Sequence, residues 1–401
     1  MHFQTLSNIN VENKTVLLRA DLNVPTKDGT VTDFTRIDRL KDTIAFLTKK
    51  GAKTVILSHF GRPKGTRNEE FSLSFLPAVL QERWGTNVGF ADDCIGDAAQ
   101  SAVNNMNAGD VLLLENVRFH AGEEKNDPAF AKDLAELGDI FVNDAFSAAH
   151  RAHASTEGLA HLLPTAAGFL MEAELTALND ALENPQKPVM AIVGGAKIST
   201  KLELLNNLVQ KVDKLVLGGG MANTFMYANG LEVGKSLCEK DMKDEALKIT
   251  ETAKASGCEI LLPVDRVIIK DFGENAPHDI VGTENIPADR EAIDIGPKSV
   301  EMLAEVLTSC KTVLWNGPMG VFEVKPFDNG TNGLAQAVAK LTKDGTLVSV
   351  AGGGDTVSAL ENAGVVNDFT YISTAGGAFL EWLEGKTLPG VAALMKNKQA
   401  A

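Results

Sequence analysis

Three things are scarce in this sequence: positive charge, cysteine and long apolar runs. Its 38 lysines and arginines face 53 aspartates and glutamates, which gives a formal net charge of −15 at pH 7. This imbalance argues against broad binding to nucleic acid or to an anionic membrane surface, because both require a basic footprint. No uninterrupted apolar stretch approaches the ~20 residues of a membrane span, and no signal-peptide pattern opens the sequence. We therefore expect a cytoplasmic protein with no nucleic-acid and no membrane partner.

The four cysteines are spread over most of the chain and form no CxxC pair. They are Cys94, Cys238, Cys258 and Cys310. Such spacing gives no support to a paired-cysteine motif. We interpret all four as small apolar residues in a reducing compartment.

Short apolar runs recur along the 401 residues, each followed by glycine or polar residues and then by a helix-like stretch. Continuous Val/Ile/Leu runs are typical of parallel strands that are buried on both faces. A chain of this length is too long for one ordinary core. The pattern predicts an α/β fold with two doubly wound parallel-sheet (Rossmann-like) domains. The predicted strands are Val16–Ala20, Thr54–Leu57, Val111–Leu114 and Ile140–Val142, then Val189–Val193, Leu215–Leu217, Thr312–Trp315, Leu347–Ala351 and Tyr371–Ile372.

One segment carries the best candidate for a domain boundary. Apolar residues keep helical spacing from Leu170 to Leu182, and Asn184-Pro185 then ends the pattern because proline cannot continue a helix. We predict an interdomain helix with a hinge, so that domains 1–169 and 188–386 flank a linker at 170–187. The alternative is one more surface helix of a single large domain.

Basic residues follow the predicted strands of the first half. Ligands of open parallel sheets bind outside the carboxyl ends of the strands, and guanidinium groups grip phosphate and carboxylate bidentately. We therefore predict an anion pocket, in spite of the overall negative charge. Its basic groups are His59, Arg62, Arg118 and Arg151, with Arg36 within reach if its loop folds over them.

A histidine pair in this region invites a metal interpretation. His150-x-x-His153, with His161 nearby, lacks the carboxylate or cysteine partners typical of zinc sites. We reject that interpretation.

Glycine-rich loops follow the predicted strands of the second half. Glycine at a strand-to-helix turn lets backbone amides approach a phosphate, and the helix N-terminus adds a favourable dipole. One such loop is weak support, but five in one domain indicate a nucleotide cleft. They are Gly194–Lys201, Gly218–Gly220, Asn316–Gly320, Gly352–Thr356 and Ser373–Gly377.

Two named nucleotide motifs fail on inspection. Gly230–Ser236 resembles a Walker A loop but has only three residues between its glycines, and Asn229 stands where glycine is required. No GxGxxG follows any predicted strand, which removes the main support for a Rossmann dehydrogenase. An anion site in one half and a nucleotide site in the other suit phosphoryl transfer, in which water is excluded as the halves close.

Over essentially its full length the sequence resembles the phosphoglycerate kinase family. Several of the shared segments are long and particular to that family. They are Arg19–Pro25, Gly61–Gly65, Leu114–Phe119, His150–His153, Gly194–Lys197, Leu314–Glu323 and Gly352–Thr356.

The resemblance implies phosphoryl transfer between ATP and the carboxylate of 3-phosphoglycerate, with Mg²⁺ as cofactor, 1,3-bisphosphoglycerate and ADP as products, and a monomeric enzyme. It implies that Asp21, Asn23, Arg36, His59, Arg62, Arg118 and Arg151 bind 3-phosphoglycerate. It implies that Gly195, Lys201, Gly219, Gly220, Asn316, Glu323, Gly353, Gly354, Asp355 and Thr356 bind the nucleotide, with Asp355 positioning the metal. Arg36, Lys197, Gly353 and Gly376 would surround the transferring phosphoryl group, and the tail from about 387 to 401 would pack on the first domain.

The sequence departs from the family pattern at Phe60, at Ser147-Ala148 and at Ala375, which precedes Gly376 in a turn where glycine is common. Two other functions compete with the kinase. The first is an NAD-dependent dehydrogenase, for which bound NAD should protect the protein. The second is a non-catalytic nucleotide-binding regulator, which should bind ATP without turnover.

Overall fold

The computed structural model describes residues 3–396, which divide into two compact units. Unit 1 comprises the residues up to Leu175 together with those from Thr387 onward, and unit 2 runs from Thr176 to Lys386. The change from unit 1 to unit 2 falls inside a helix, Phe169–Leu178, within the segment predicted as a linker. Residues 397–401 of the predicted returning tail lie outside the described residues.

Unit 1 is built on a six-stranded parallel sheet with the strand order β5-β6-β4-β1-β7-β8. Alternate apolar side chains of its central strand β1 enter two different cores: Val16 and Leu18 pack on one face, Leu17 on the other. Both faces are therefore covered, as a doubly wound sheet requires. The strands of unit 1, including a two-stranded hairpin (β2, β3), are β1 Thr15–Arg19, β2 Thr26–Lys27, β3 Thr30–Val31, β4 Lys53–Leu57, β5 Val88–Ala91, β6 Val111–Leu114, β7 Ile140–Asn143 and β8 Thr165–Ala167.

Helices cover both faces of this sheet. Ile44 and Leu80 belong to the core on one face, and Val103 and Leu134 to the core on the other. The helices up to the change of unit are α1 Thr35–Arg39, α2 Lys41–Lys49, α3 Leu76–Trp84, α4 Gly96–Asn104, α5 Ala121–Glu124, α6 Pro128–Ala135 and α7 Phe169–Leu178.

A buried carboxylate begins α7. Asp144 follows β7, and its Oδ1 accepts from the backbone N–H groups of Leu170 (2.8 Å) and Met171 (3.0 Å). Thr43 Oγ1 donates to Asp144 Oδ2 at 2.6 Å. These bonds satisfy N–H groups that a helix start leaves without intrahelical partners.

Unit 2 contains a second six-stranded parallel sheet, with the order β11-β10-β9-β15-β16-β17, and a separate antiparallel sheet, β13-β12-β14. The two six-stranded parallel sheets confirm the predicted α/β class. The strands are β9 Val189–Val193, β10 Lys214–Leu217, β11 Glu259–Leu261, β12 Asp265–Ile269, β13 His278–Gly282, β14 Glu291–Ile295, β15 Thr312–Asn316, β16 Val348–Gly352 and β17 Tyr371–Ser373.

The helices of unit 2 follow its strands in the expected alternation. Three of these helices pack on one core with Trp315 of the sheet, through Leu303, Leu334 and Leu360. The helices are α8 Leu202–Leu208, α9 Gly219–Ala228, α10 Lys243–Ser256, α11 Pro297–Leu307, α12 Asn329–Lys343, α13 Gly354–Asn362 and α14 Gly377–Leu383; the last helix of the chain, α15 Pro389–Lys396, belongs to unit 1.

Short turns complete the two units. Single π turns span Ala154–Gly158 and Asn179–Glu183, the second continuing α7. The 3₁₀ turns are Leu6–Asn8, Glu69–Phe71, Val117–Phe119, Phe146–Ala148, Leu159–His161, Ile198–Thr200, Lys240–Met242, Thr283–Asn285 and Val366–Asp368. Within residues 3–396, no helix has both the length and the apolar character to cross a membrane.

Candidate active site

In unit 1, the carboxyl ends of three neighbouring strands converge. β1 pairs with β4 on one side and with β7 on the other. Ser58, just after β4, holds the chain that follows β1: its Oγ donates to the Ala20 carbonyl and accepts from the Leu22 N–H, both at 2.9 Å. The segment from Asp21 onward is thus fixed over the sheet edge where ligands of such folds bind.

Arg36 is held at this edge by an acidic partner. Its Nη1 donates to Asp21 Oδ1 (3.0 Å) and to the Asn23 carbonyl (2.8 Å). Asp21 also accepts from Ser147 Oγ, and Asn23 Oδ1 accepts from the Gly61 N–H at 2.9 Å. The Arg36 side chain remains 34% exposed, so the bonds fix its position and leave the guanidinium accessible to an anion.

Three more arginines gather nearby. Arg118 Nη1 donates to the Gly61 carbonyl at 2.9 Å, and its side chain is only 11% exposed. Burial lowers its pKa; the charges of Arg151 and Arg62 act in the same direction, and Glu124 and Glu123 oppose them. Arg62 and Arg151 are exposed. Guanidinium groups that depress one another's pKa are stabilised by a bound anion.

His59 is fixed as a neutral hydrogen-bond donor. Fully buried Arg19 places its Nη2 3.0 Å from His59 Nδ1. Because a guanidinium only donates, Nδ1 must accept, and the ring proton sits on Nε2. Burial holds the pKa of His59 well below its usual value, and the charges of Arg19, Arg118 and Arg36 add to that effect.

A buried network supports Arg19 in turn. Its Nε donates to Ser155 Oγ at 2.8 Å, and Ser155 donates to Glu123 Oε1 at 2.6 Å. Burial raises the pKa of Glu123, whereas Arg19 and the bonds from Ser155 lower it. His153 Nδ1 lies 3.8 Å from the same carboxylate, and its pKa falls to about 4, chiefly because of burial. Arg19, Ser155 and Glu123 were not predicted as functional.

In unit 2, the strand order reverses at β9: β10 and β11 lie on one side of it, and β15, β16 and β17 lie on the other. Lys201 bridges this point. Its Nζ donates to the Gly194 carbonyl at 2.7 Å and to Asn316 Oδ1 at 2.6 Å. Burial lowers the pKa of Lys201 to about 8, and the charge of Asp355 opposes the shift.

A cleft of about 250 Å³ opens beside these loops. Gly219 has a φ of +66°, and a Cβ there would lie 2.5 Å from the Gly195 carbonyl oxygen. A Cβ on Gly220 would lie 2.2 Å from the Ala196 carbonyl oxygen. Only glycine permits this close approach of two backbones. Of the described residues, the cleft is lined by Gly195, Ala196, Gly219, Gly220, Asn223, Leu237, Glu291, Ala292, Ile293, Pro318, Gly320, Val321, Phe322, Glu323 and Asp355.

The ends of β15 and β16 form the next part of the site. Asn316 Nδ2 donates to the Gly352 carbonyl at 2.8 Å, and Thr356 Oγ1 accepts from the Gly317 N–H at 2.7 Å. Gly353 has a φ of +101°, and a Cβ there would meet Asn316 Nδ2 at 2.7 Å. Gly354 and Asp355 open α13. The structure therefore places Asn316 and Thr356 on either side of the space beside Gly353.

Two predicted catalytic residues stand apart from these contacts. Lys197 is exposed on the loop after β9, and its carbonyl accepts from Thr200 Oγ1. Gly376 has a φ of +54° before α14 and open space where a Cβ would lie. Ala375, which stands where the family commonly has glycine, is buried beside it. The alanine at this position leaves the unusual conformation of Gly376 in place.

Sequence reasoning missed the apolar side of the cleft. Leu237 is 46% exposed, and it lines the cleft with Phe322. Asn223 lines it too: its Nδ2 donates to the Leu237 carbonyl, while its buried Oδ1 has no hydrogen-bond partner among the described residues. Leu237 lies in no predicted motif, whereas Phe322 sits in a quoted segment without an assigned role.

Comparison with known proteins gives consistent matches. A family profile described as "Phosphoglycerate kinase" matches residues 6–386. A phosphoglycerate kinase of Rhodospirillum centenum is 62% identical over 394 residues, which cover 98% of this chain and 100% of the relative. One from Brucella abortus is 58% identical over 396 residues, covering 99% and 100%. The structure of phosphoglycerate kinase from Coxiella burnetii superposes with a TM-score of 0.92 at 43% identity, covering 98% of this chain and 99% of that one.

The two parallel-sheet units and these matches define the class first: the chain is a phosphotransferase of α/β architecture. Within that class, the profile spans nearly the whole chain and the relatives are matched over their full length. The chain belongs to the phosphoglycerate kinase family.

Proposed function

We propose that this chain transfers a phosphoryl group reversibly between ATP and the carboxylate of 3-phosphoglycerate, with Mg²⁺, and so serves glycolysis and gluconeogenesis. The products of the forward transfer are ADP and 1,3-bisphosphoglycerate. One observation carries the proposal: a chain of net charge −15 gathers its guanidinium groups at the strand ends of one unit and a buried lysine with glycine-rich loops at those of the other.

The arginine cluster of unit 1 suits 3-phosphoglycerate, a small molecule with a phosphate and a carboxylate. We assign Arg62, Arg118 and Arg151 to these anionic groups, because paired N–H donors match their oxygens. Asp21 and Asn23 accept from hydroxyl or guanidinium donors, which supports their predicted place in the site. His59 offers a neutral Nε2–H donor, so its contribution is constant across neutral pH.

The cleft of unit 2 suits a purine nucleotide. The apolar side chains of Leu237 and Phe322 line the cleft and can enclose the base. Glu323 lies on the same wall, where its carboxylate can accept from ribose hydroxyls. We assign the phosphates to Lys201, Asn316, Thr356 and the amides of Gly353 and Gly354, beside the N-terminus of α13.

Asp355 is the residue that would hold Mg²⁺. It opens α13, lines the cleft and acts electrostatically on Lys201. Magnesium is commonly held by one or two carboxylates together with substrate phosphates. When bound, Mg²⁺ neutralises charge on the phosphate oxygens.

The reaction needs no general base. A carboxylate oxygen of 3-phosphoglycerate, already ionised at pH 7, forms a bond to the γ-phosphorus, and the bond from that phosphorus to the β,γ-bridging oxygen breaks as ADP departs. Catalysis then rests on alignment and on neutralising charge. We assign Arg36, Lys197 and the amides of Gly353 and Gly376 to the equatorial oxygens of the transferring group.

The four cysteines are all unpaired. That state suits a reducing compartment, and it supports our proposal that the enzyme acts in the cytoplasm. We further propose that it acts as a monomer, because unit 1 and unit 2 together supply every assigned residue.

A coupled assay tests the proposed function. ADP release should require both MgATP and 3-phosphoglycerate, and NAD should not replace ATP. Lys197→Ala should lower kcat by ~100-fold or more, whereas Lys254→Ala, an exposed lysine of α10, should leave it unchanged. ATP binding without turnover, or turnover that is independent of 3-phosphoglycerate, would refute the proposal.

A further inference from the structure

Three side chains of unit 1 that play no part in the candidate active site converge on one point. Asp93 and Cys94 lie in the turn between β5 and α4, and His120 immediately precedes α5. Each offers a different kind of ligand atom: a carboxylate oxygen, a thiol sulfur and an imidazole nitrogen. These three atoms all lie within 4.8 Å of one another.

Local contacts hold the three groups in this arrangement. Asp93 Oδ1 lies 2.7 Å from His120 Nε2 and accepts from the Cys94 N–H at 2.6 Å. The His120 ring stacks on Phe130, with 5.1 Å between the ring centroids and 23° between the planes. Ligand side chains that are oriented before the metal arrives cost less to order on binding.

The surroundings of the thiol favour a cation. Cys94 is fully buried, and the carboxylates of Asp93, Glu123 and Glu115 act electrostatically on its sulfur. Arg67 bonds to Asp92, the residue before Asp93, and its guanidinium is also paired with Glu69. A divalent cation would supply the charge that a thiolate needs at this position.

We propose that Asp93, Cys94 and His120 form a binding site for a thiophilic divalent cation of the Zn²⁺ type. Sulfur, nitrogen and one carboxylate oxygen are the donors that Zn²⁺ takes, whereas Mg²⁺ and Ca²⁺ require oxygen. On binding, the thiol proton passes to solvent, and the proton that His120 Nε2 shares with Asp93 moves by exchange with solvent to Nδ1, which frees Nε2 as a ligand. Water completes four-coordination.

The geometry allows this with small movements. Metal–ligand bonds of 2.0–2.3 Å place tetrahedral ligand atoms roughly 3.3–3.8 Å apart. Ligand atoms that now lie as much as 4.8 Å apart must therefore approach by roughly 1 Å or a little more. Asp93 Oδ1 and His120 Nε2, which are 2.7 Å apart, must separate by roughly 0.6 Å or more to admit the metal. The Asp93 and His120 side chains are 44% and 28% exposed, and so have room to move towards the buried sulfur.

Cobalt(II) tests the site in the intact protein without reference to activity. Titrating Co²⁺ should produce a thiolate-to-cobalt charge-transfer band in the near ultraviolet and intense visible bands of tetrahedral cobalt, saturating at one metal per chain. Added Zn²⁺ should abolish both. Cys94→Ser should remove the charge-transfer band, and the control Cys238→Ser, which changes a partly exposed cysteine of unit 2, should retain it.

Two further variants keep the test decisive if Cys94→Ser fails to fold. Asp93→Asn and His120→Gln alter partly exposed side chains, and each should weaken Zn²⁺ competition by about tenfold or more. Circular dichroism checks that each variant is folded. Absence of the charge-transfer band in the wild-type chain, or its persistence in Cys94→Ser, would overturn the proposal.

Discussion

Nucleotide binding should draw protons onto Lys201. In the free chain its pKa is about 8, displaced from 10.5 mainly by burial. This pKa shift means that the charged form of Lys201 is disfavoured by about 3 kcal/mol relative to an exposed lysine. A bound phosphate is an opposite charge at short range and should restore the ordinary pKa. The wild-type chain should therefore take up about 0.5 proton per nucleotide at pH 8 and about 0.9 at pH 9, but almost none at pH 6.5.

Calorimetry measures this uptake directly. Titrations of ADP at pH 9 in buffers of different ionisation enthalpy give the number of protons bound per nucleotide. Because the bound state holds more protons, affinity should fall by up to tenfold per pH unit between about pH 8.5 and pH 10. At more acid pH the lysine is charged in both states, and the affinity should be insensitive to pH.

Two variants separate Lys201 from other sources of protons. Lys201→Met should abolish the uptake, whereas Lys197→Met changes an exposed lysine of the same loop and should keep it. The phosphate of ADP titrates well below pH 9 and contributes little there. Uptake that is absent from the wild-type chain, or unchanged in Lys201→Met, would refute the assignment of Lys201 to the phosphates.

Four further predictions concern particular side chains. Arg36→Ala should lower kcat by ~100-fold with little change in KM for 3-phosphoglycerate. The control Arg83→Ala, which removes an exposed ion pair, should not lower kcat in this way. A raised KM with unchanged kcat would make Arg36 a substrate anchor only. Asn223→Leu should raise the KM for ATP by about tenfold and leave the KM for GTP unchanged, because the unpartnered Oδ1 of Asn223 can accept from the adenine amino group. Equal changes in the two KM values would exclude this contact. The folded-state pKa of His153, about 4, lies below its unfolded value, so the unfolded chain takes up a proton first and urea-unfolding free energy should fall as pH drops from about 6.5 to about 4. His153→Gln should flatten that fall, and an unchanged slope would contradict it. Arg19→Met should cost about 3–5 kcal/mol of stability, because it removes the positive charge that compensates buried Glu123. The same change should free the His59 tautomer, which ¹⁵N NMR detects; an unchanged His59 spectrum would show that Arg19 does not fix the ring.

The sequence was sufficient for the parts of the fold that repeat a local pattern. Val111–Leu114 and Val189–Val193 were predicted with their observed bounds because all-apolar strands stand out from their flanks. The antiparallel sheet β12–β14 was missed for the opposite reason. β13 is largely exposed, and buried Arg266 and Asp294 interrupt the apolar pattern of its neighbours.

The candidate site divides in the same way. Residues that directly follow strands, such as Arg118 and Asp355, could be proposed because strand ends are visible in the sequence. Arg19, Ser155 and Glu123 could not, since a buried polar network depends on partners brought together from distant segments: 136 residues separate Arg19 from Ser155. Such contacts have no periodicity, and only the folded structure shows them.

The most direct test of the proposed function follows the oxygen atom that attacks phosphorus. We expect that 3-phosphoglycerate labelled with ¹⁸O in its carboxylate, mixed with MgATP and the chain at near-stoichiometric concentration, forms an acyl phosphate whose ³¹P resonance shows the isotope shift of a phosphorus bonded to ¹⁸O. ADP should appear in equal amount. An acyl phosphate without that shift, or ADP formed with inorganic phosphate and no acyl phosphate, would contradict transfer to the carboxylate.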